Sequence, residues 1–225
     1  LFDISKRELK AGRSLSQLCL RNVIPAGFIR PRLTAARSVV MFSATLNPQR
    51  YYADLLGLPV ETVWIDVESP FRAEQLQVQV ISQISTRFVH RQASLAPIVE
   101  LMARQFEARA GNYLAFFSSF DYLQQALQRL QALHPALPVW AQSRGMGEQD
   151  RDAFVARFTE EGQGIGFAVL GGAFGEGIDL PGNRLIGAFI ATLGLPQFNP
   201  LNEQLRARLQ ARYGQGYDYT YLFPG

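Results

Sequence analysis

Apolar and polar positions alternate with two distinct periods along this chain, and the change of period marks its elements. Leu76-Gln77-Val78-Gln79-Val80-Ile81 alternates every second residue, as a half-covered strand does. Ser38-Val39-Val40-Met41-Phe42-Ser43 is a short apolar run rich in β-branched residues and reads as a buried strand; Thr62 to Asp66 reads as another. Between them, residues 48 to 56 open with Pro48 as a helix would. From residue 91 onward the pattern is regular, predicting helix 91–109, strand 113–117, helix 119–133, strand 137–140, helix 147–159, strands 165–170 and 185–191, and helix 200–213. Leu123, Ala126, Leu127 and Leu130 recur at i, i+3, i+4 and i+7, giving the second of these helices one apolar stripe to pack on a sheet. Residues 1–37 show neither period, and Pro25 and Pro31 argue against a long helix there.

Strands alternating with helices through short connections predict an α/β fold, with a mostly parallel sheet covered on both faces. Ligands of such sheets bind outside the carboxyl ends of the strands. The loops beginning at Ser43, Ser118, Gln142 and Gly171 are therefore expected to share one edge.

Composition narrows the class. The 225 residues are 48% hydrophobic and 18% charged, enough for a real core and incompatible with disorder or a collagen-like chain. No stretch approaches the roughly 18 apolar residues of a membrane helix, and the charged start lacks a signal peptide, so a cytoplasmic protein without membrane partners is expected. Cys19 is the single cysteine, which excludes an internal disulfide, a four-cysteine zinc site or an iron–sulfur cluster built from these residues. The net charge is +3, with twenty arginines against two lysines, a weak pointer to a polyanionic partner. The chain starts at a leucine and stops just after the apolar run Tyr221-Leu222-Phe223, from which we expect a piece of something longer.

The segment richest in chemistry is Leu170-Gly171-Gly172-Ala173-Phe174-Gly175-Glu176-Gly177-Ile178-Asp179-Leu180-Pro181-Gly182, directly after a predicted strand. Its glycines let backbone come close to a ligand. It is no dinucleotide fingerprint, because Ile178 to Pro181 opposes helix entry, and the chain contains no G-x-x-x-x-G-K-S/T phosphate loop. Glu176 and Asp179 could pair for acid–base work, grip a ribose hydroxyl, or cap a turn.

Gly172 to Gly182 resembles motif V of the superfamily 2 DNA helicases of the XPD and DinG type, close to G-x-x-x-E-G-I-D-L-P-G. Other segments follow in the family's order. Phe42-Ser43-Ala44-Thr45-Leu46 resembles motif III, Ser69-Pro70-Phe71 the start of the second motor domain, and Gly111 to Phe120 motif IV, while Gln142 resembles the glutamine after the next strand.

The resemblance implies a three-layer αβα RecA-like domain with a mostly parallel central sheet. Residues 1–47 would be a tail of the first motor domain ending in motif III, 48–75 a linker, and 76–225 the second motor domain, stopping before motif VI. Together with a first motor domain in the same protein, it would translocate on single-stranded DNA and unwind duplex using ATP. ATP and Mg2+ would be held mainly by that first domain, where the longer protein could also carry an iron–sulfur cluster. Asp179 would contact the ribose beside Glu176 and Gly177, and Ser43 and Thr45 would couple nucleotide state to DNA grip. Ser118, Ser119, Phe120, Gly171, Gly172 and Arg87 would meet the DNA strand, Phe120 standing where the family commonly has tyrosine; Arg91 is a further candidate for backbone contact. The missing arginine finger alone is worth 10³ or more in rate, so these residues are expected to be inert as an ATPase. The rival expectations are a binding or interaction module of helicase fold that has lost catalysis, and a stand-alone α/β enzyme.

Overall fold

The computed structural model describes residues 2–8, 14–175, 178–196 and 198–224. The chain divides into two compact units, residues 73–194 and residues 1–72 with 195–225.

The first of these units holds the sheet. Helix α3 (Arg91–Ala108) leads into strand β3 (Asn112–Phe117), followed by α4 (Phe120–Leu133), β4 (Val139–Ala141), α5 (Glu148–Ala156), β5 (Gly164–Val169) and β6 (Gly187–Ala191). The four strands lie in the order β4-β5-β3-β6, and every pairing is parallel. In register, Tyr113 stands beside both Ile165 and Gly187.

Both faces are covered, which is why β3 reads as a continuous apolar run rather than an alternation. Tyr113, Ala115 and Phe117 point into one core with Ile165 and Phe167 of β5 and the stripes of α3 and α4: Leu95, Val99 and Met102, then Leu123, Ala126 and Leu130. Leu114 and Phe116 point the other way, joining Trp140, Phe154, Phe158, Ala168 and Phe174 in a second core. The result is the three-layer arrangement expected from the alternation.

In the second unit, β1 (Phe2–Glu8) and β2 (Ser14–Leu20) pair antiparallel as a hairpin. Helices α1 (Ala26–Ala35) and α2 (Gln49–Leu56) follow, and α6 (Pro200–Tyr213) belongs to the same unit. Helix α6 starts at an Asn199 cap, whose side chain accepts from the Asn202 amide at 2.8 Å, with Pro200 in its first turn, and ends at Gly214 with φ 74°. Asp54 of α2 is held by two tyrosines from far along the chain. The Tyr213 hydroxyl donates to its carbonyl at 2.8 Å and the Tyr219 hydroxyl to its carboxylate at 2.5 Å. Burial and the adjacent carboxylate both push the Tyr219 phenol well above its ordinary range.

Three expected strands are absent. Residues 38–43, 62–66 and 76–81 adopt no regular element and pair with no described strand. Val40 is 85% exposed and Phe42 90%. A strand is defined by its neighbour's hydrogen bonds, so a β-patterned run without a neighbour remains irregular. The irregular reading of residues 1–37 is corrected in the other sense. The hairpin pairs two segments of weak alternation, and α1 runs ten residues with Pro31 inside it.

Candidate nucleic-acid interface

Because the four strands are parallel, their carboxyl ends fall on one edge. The residues that follow them are Ser118 after β3, Gln142 after β4, Leu170 to Gly175 after β5 and Thr192 after β6. Ser43 ends no strand of this sheet and belongs to the other compact unit. Its hydroxyl accepts from the Thr45 amide at 3.5 Å, and both side chains are exposed.

Gln142 is the hinge pin of the edge. Its amide donates to the Phe167 carbonyl at 2.8 Å, extending the β4–β5 ladder, and its side-chain oxygen accepts from the Val169 amide at 2.9 Å. The chain then turns twice in succession: the Gly172 amide donates to the Val169 carbonyl and the Gly175 amide to the Gly172 carbonyl, both at 3.1 Å. Gly171 takes φ 75°, in the left-handed region that disfavours a side chain. A Cβ on Gly172 would lie 3.0 Å from the Val169 carbonyl oxygen and 3.5 Å from the Gln142 amide nitrogen, so glycine lets the turn settle onto Gln142.

Phe174 anchors this loop. It is 2% exposed, and its ring stacks on Phe154 at 4.2 Å. Ile178 and Leu180 pack against the same core, while Asp179 between them is exposed. Glu176 and Gly177 lie outside the described residues. The described part of the segment that resembles motif V is thus held by Phe174, Ile178 and Leu180, with Asp179 outward. Its glycines and acids were apparent in the sequence, whereas the anchoring role of Phe174 depends on the Phe154 ring, far back along the chain.

At the end of β3, the serines divide their work. The Ser119 side chain caps α4, accepting from the Tyr122 amide at 3.3 Å. The Ser118 hydroxyl accepts from the Arg91 guanidinium at 2.7 Å. The Phe120 ring carries the Arg144 guanidinium 5.0 Å from its centroid, and Arg144 also reaches Asp121 at 2.9 Å. Arg87 is exposed before the helical turn Phe88–His90. Beneath Ser118, the Tyr122 hydroxyl and Ser94 lie 2.6 Å apart, and the Tyr122 phenol is pushed up by burial, against opposing pulls from Ser94 and Arg91. Tyr122, Ser94 and Arg144 carried no local sequence signal for this edge, because their part is set by a tertiary meeting of α3, β3, α4 and the loop after β4.

The edge can therefore offer hydroxyls, guanidinium groups and close glycine backbone to an anionic strand. Among the described residues no three His, Cys, Asp or Glu gather as metal ligands, and no helix is long and apolar enough to cross a membrane.

Comparison with known proteins agrees with this geometry. Residues 102–225, over half the chain, match the family model described as the helicase C-terminal domain. The chain is 25% identical over 183 residues to "Probable ATP-dependent helicase MJ0942" of Methanocaldococcus jannaschii, covering 78% of the chain and 27% of that relative. A solved XPD helicase superposes with a TM-score of 0.66 at 17% identity, over 95% of this chain and 38% of that one. An apo XPD structure gives 0.67 at 16%, over 95% and 43%. The chain thus spans about a quarter of the length of the curated relative and about two fifths of the XPD chains. The three-layer sheet carries the fold of those XPD structures, and the chain belongs to the helicase C-terminal domain family.

Proposed function

We propose that these residues form the second RecA-like motor domain of an ATP-dependent DNA helicase that moves on single-stranded DNA. The observation that supports this best is the convergence on one sheet edge of Ser118, Gln142 and the Gly171–Gly175 loop, each in the segment that resembles a helicase motif. In this reading residues 1–47 belong with a first motor domain, 48–75 link the two, and 76–225 form the second. ATP sits between the two domains, so that its binding closes them and product release opens them. Asp179, with Glu176 and Gly177, faces the ribose, and Ser43 and Thr45 pass the nucleotide state to the DNA grip. Ser118, Ser119, Phe120, Gly171, Gly172 and Arg87 track the strand. As the family resemblance implies, ATP and Mg2+ are held mainly by that first domain, where an iron–sulfur cluster would also belong. Such a protein works in the cytoplasm, at the nucleoid if it is bacterial.

A binding module of the same fold without catalysis would not need the Glu176-Gly177-Ile178-Asp179 segment, which stands intact and favours the motor.

The test is binding of a fluorescent oligo(dT) across a salt series, beside the Ser118→Ala, Ser119→Ala double variant, with ATPase activity assayed on the same samples. Hydrogen bonds to a charged group contribute about 1.5–3 kcal/mol, so the variant should bind about tenfold more weakly. Binding should fall with salt, with no turnover. ATP turnover by these residues, or no binding at low salt, overturns this reading.

A further inference from the structure

Arg91 is the first residue of α3, and α3 feeds β3 so that its N-terminus lies over the carboxyl edge, as the contact with Ser118 shows. Its guanidinium lies 5.2 Å from the centroid of the Phe88 ring and 5.1 Å from that of Tyr122. One nitrogen donates to the Ser118 hydroxyl at 2.7 Å, while Nε is buried without a hydrogen-bond partner. No described carboxylate pairs with it, in contrast to Arg144, Arg206 and Arg50, which reach Asp121, Glu203 and Asp54. The Arg91 carbonyl accepts from Ser94, which also meets the Tyr122 hydroxyl, so the residue is fixed at its backbone as well as at its ring-flanked head.

Taking a cation out of water is unfavourable, and a carboxylate usually offsets it. Here only two ring faces and a neutral hydroxyl do so. The group is oriented by the two rings and the Ser118 hydroxyl rather than by a carboxylate, and its positive charge remains uncompensated next to a strand-end serine. A planar guanidinium held this way suits the paired oxygens of a phosphodiester, which a hydroxyl beside it can also contact.

We propose that Arg91 and Ser118 together form a two-point receptor for one phosphate of a single-stranded nucleic acid, with Arg91 the cation that neutralises it. This rests on the reading of the edge as a single-strand track.

The test measures oligo(dT) binding by the 225-residue chain from low to moderate salt, for the parent, Arg91→Gln, Arg91→Met, Arg91→Lys and Arg104→Gln. Arg104 is an exposed arginine farther along α3 and controls for loss of one charge. Removing one phosphate contact to a single strand should flatten the slope of log K against log salt by about 0.7. Both neutral variants should show that flattening, with affinity about fivefold lower at low salt. Arg91→Met keeps the slot between the rings filled should Arg91→Gln not fold. Arg91→Lys should keep the parent slope with about twofold weaker binding, and Arg104→Gln should match the parent. Parent-like slopes in the folded neutral variants overturn this proposal alone. A slope flattened equally in Arg91→Lys overturns it too, since the residue would then act by packing. Failure of the parent to bind at low salt overturns both this proposal and the single-strand reading beneath it.

Discussion

Phe117→Ala is expected to lower the unfolding free energy of the sheet unit by about 3–5 kcal/mol, the usual result of emptying a buried aromatic site. Phe117 closes β3 immediately before Ser118 and has no exposed surface. Its ring stacks on Phe167 at 5.5 Å and meets Tyr122 edge-on at 5.2 Å, so it joins β3, β5 and α4 at one point. These neighbours are themselves fixed, Phe167 by the parallel β3–β5 ladder and Tyr122 by Ser94. The cavity therefore has little means of collapsing, which places the cost in the upper part of the range for core deletions. Urea unfolding followed by Trp140 fluorescence, in a Trp64→Phe background, reads the loss directly. A decrease below about 1 kcal/mol would mean that the ring does not hold the sheet edge as described. Because Tyr122 also flanks Arg91, the same variant should loosen the guanidinium and weaken DNA binding.

Gly166→Val should destabilise the opposite face by about 1–3 kcal/mol through overpacking. Gly166 sits in β5 between Ile165 and Phe167, facing the second core. A Cβ there would come within 2.7 Å of Phe158 Cζ, 3.0 Å of Trp140 Nε1 and 3.1 Å of Phe154 Cζ. The three rings pack on one another, with centroids 4.8 Å apart for Trp140 and Phe158 and 5.8 Å for Phe154 and Phe158, so none can retreat without displacing another. Phe154 also carries Phe174, the anchor of the motif V loop. The strain should therefore spread to Gly171–Gly175, weakening oligonucleotide binding along with stability. A variant as stable as the parent in the same urea experiment would contradict the close packing of this face.

What was legible in the sequence follows from where each signal resides. Helices α3, α4 and α6 emerge at nearly their observed limits because their apolar periodicity and caps are local, as with the Ser119 and Asn199 side chains that start α4 and α6. Strand β3 was legible because burial on both faces leaves a continuous apolar run between polar turns. The runs at 38–43, 62–66 and 76–81 carry equally good local patterns and form no strand, since pairing is a property of two segments. The hairpin of β1 and β2 is the converse, a pairing with little local pattern in either strand. At the edge itself, motif spacing brought out Ser118, Gln142 and the glycines. It carried no information on which arginine would be gripped between rings, because Phe88 and Tyr122 are far apart in sequence and both reach the Arg91 guanidinium only when α3 and α4 pack side by side.

The central claim, that the carboxyl edge of this sheet receives a single strand of DNA, is tested most directly by titrating the isotopically labelled chain with oligo(dT) and following backbone amide chemical shifts. The account predicts shifts concentrated at Ser118 to Phe120, Gln142 to Arg144 and Gly171 to Gly175, weakening together as salt is raised. It is contradicted if the shifts gather at the opposite edge, around Arg109, Gly111, Glu161 and Asn183, or if the carboxyl edge stays silent while the oligonucleotide binds elsewhere.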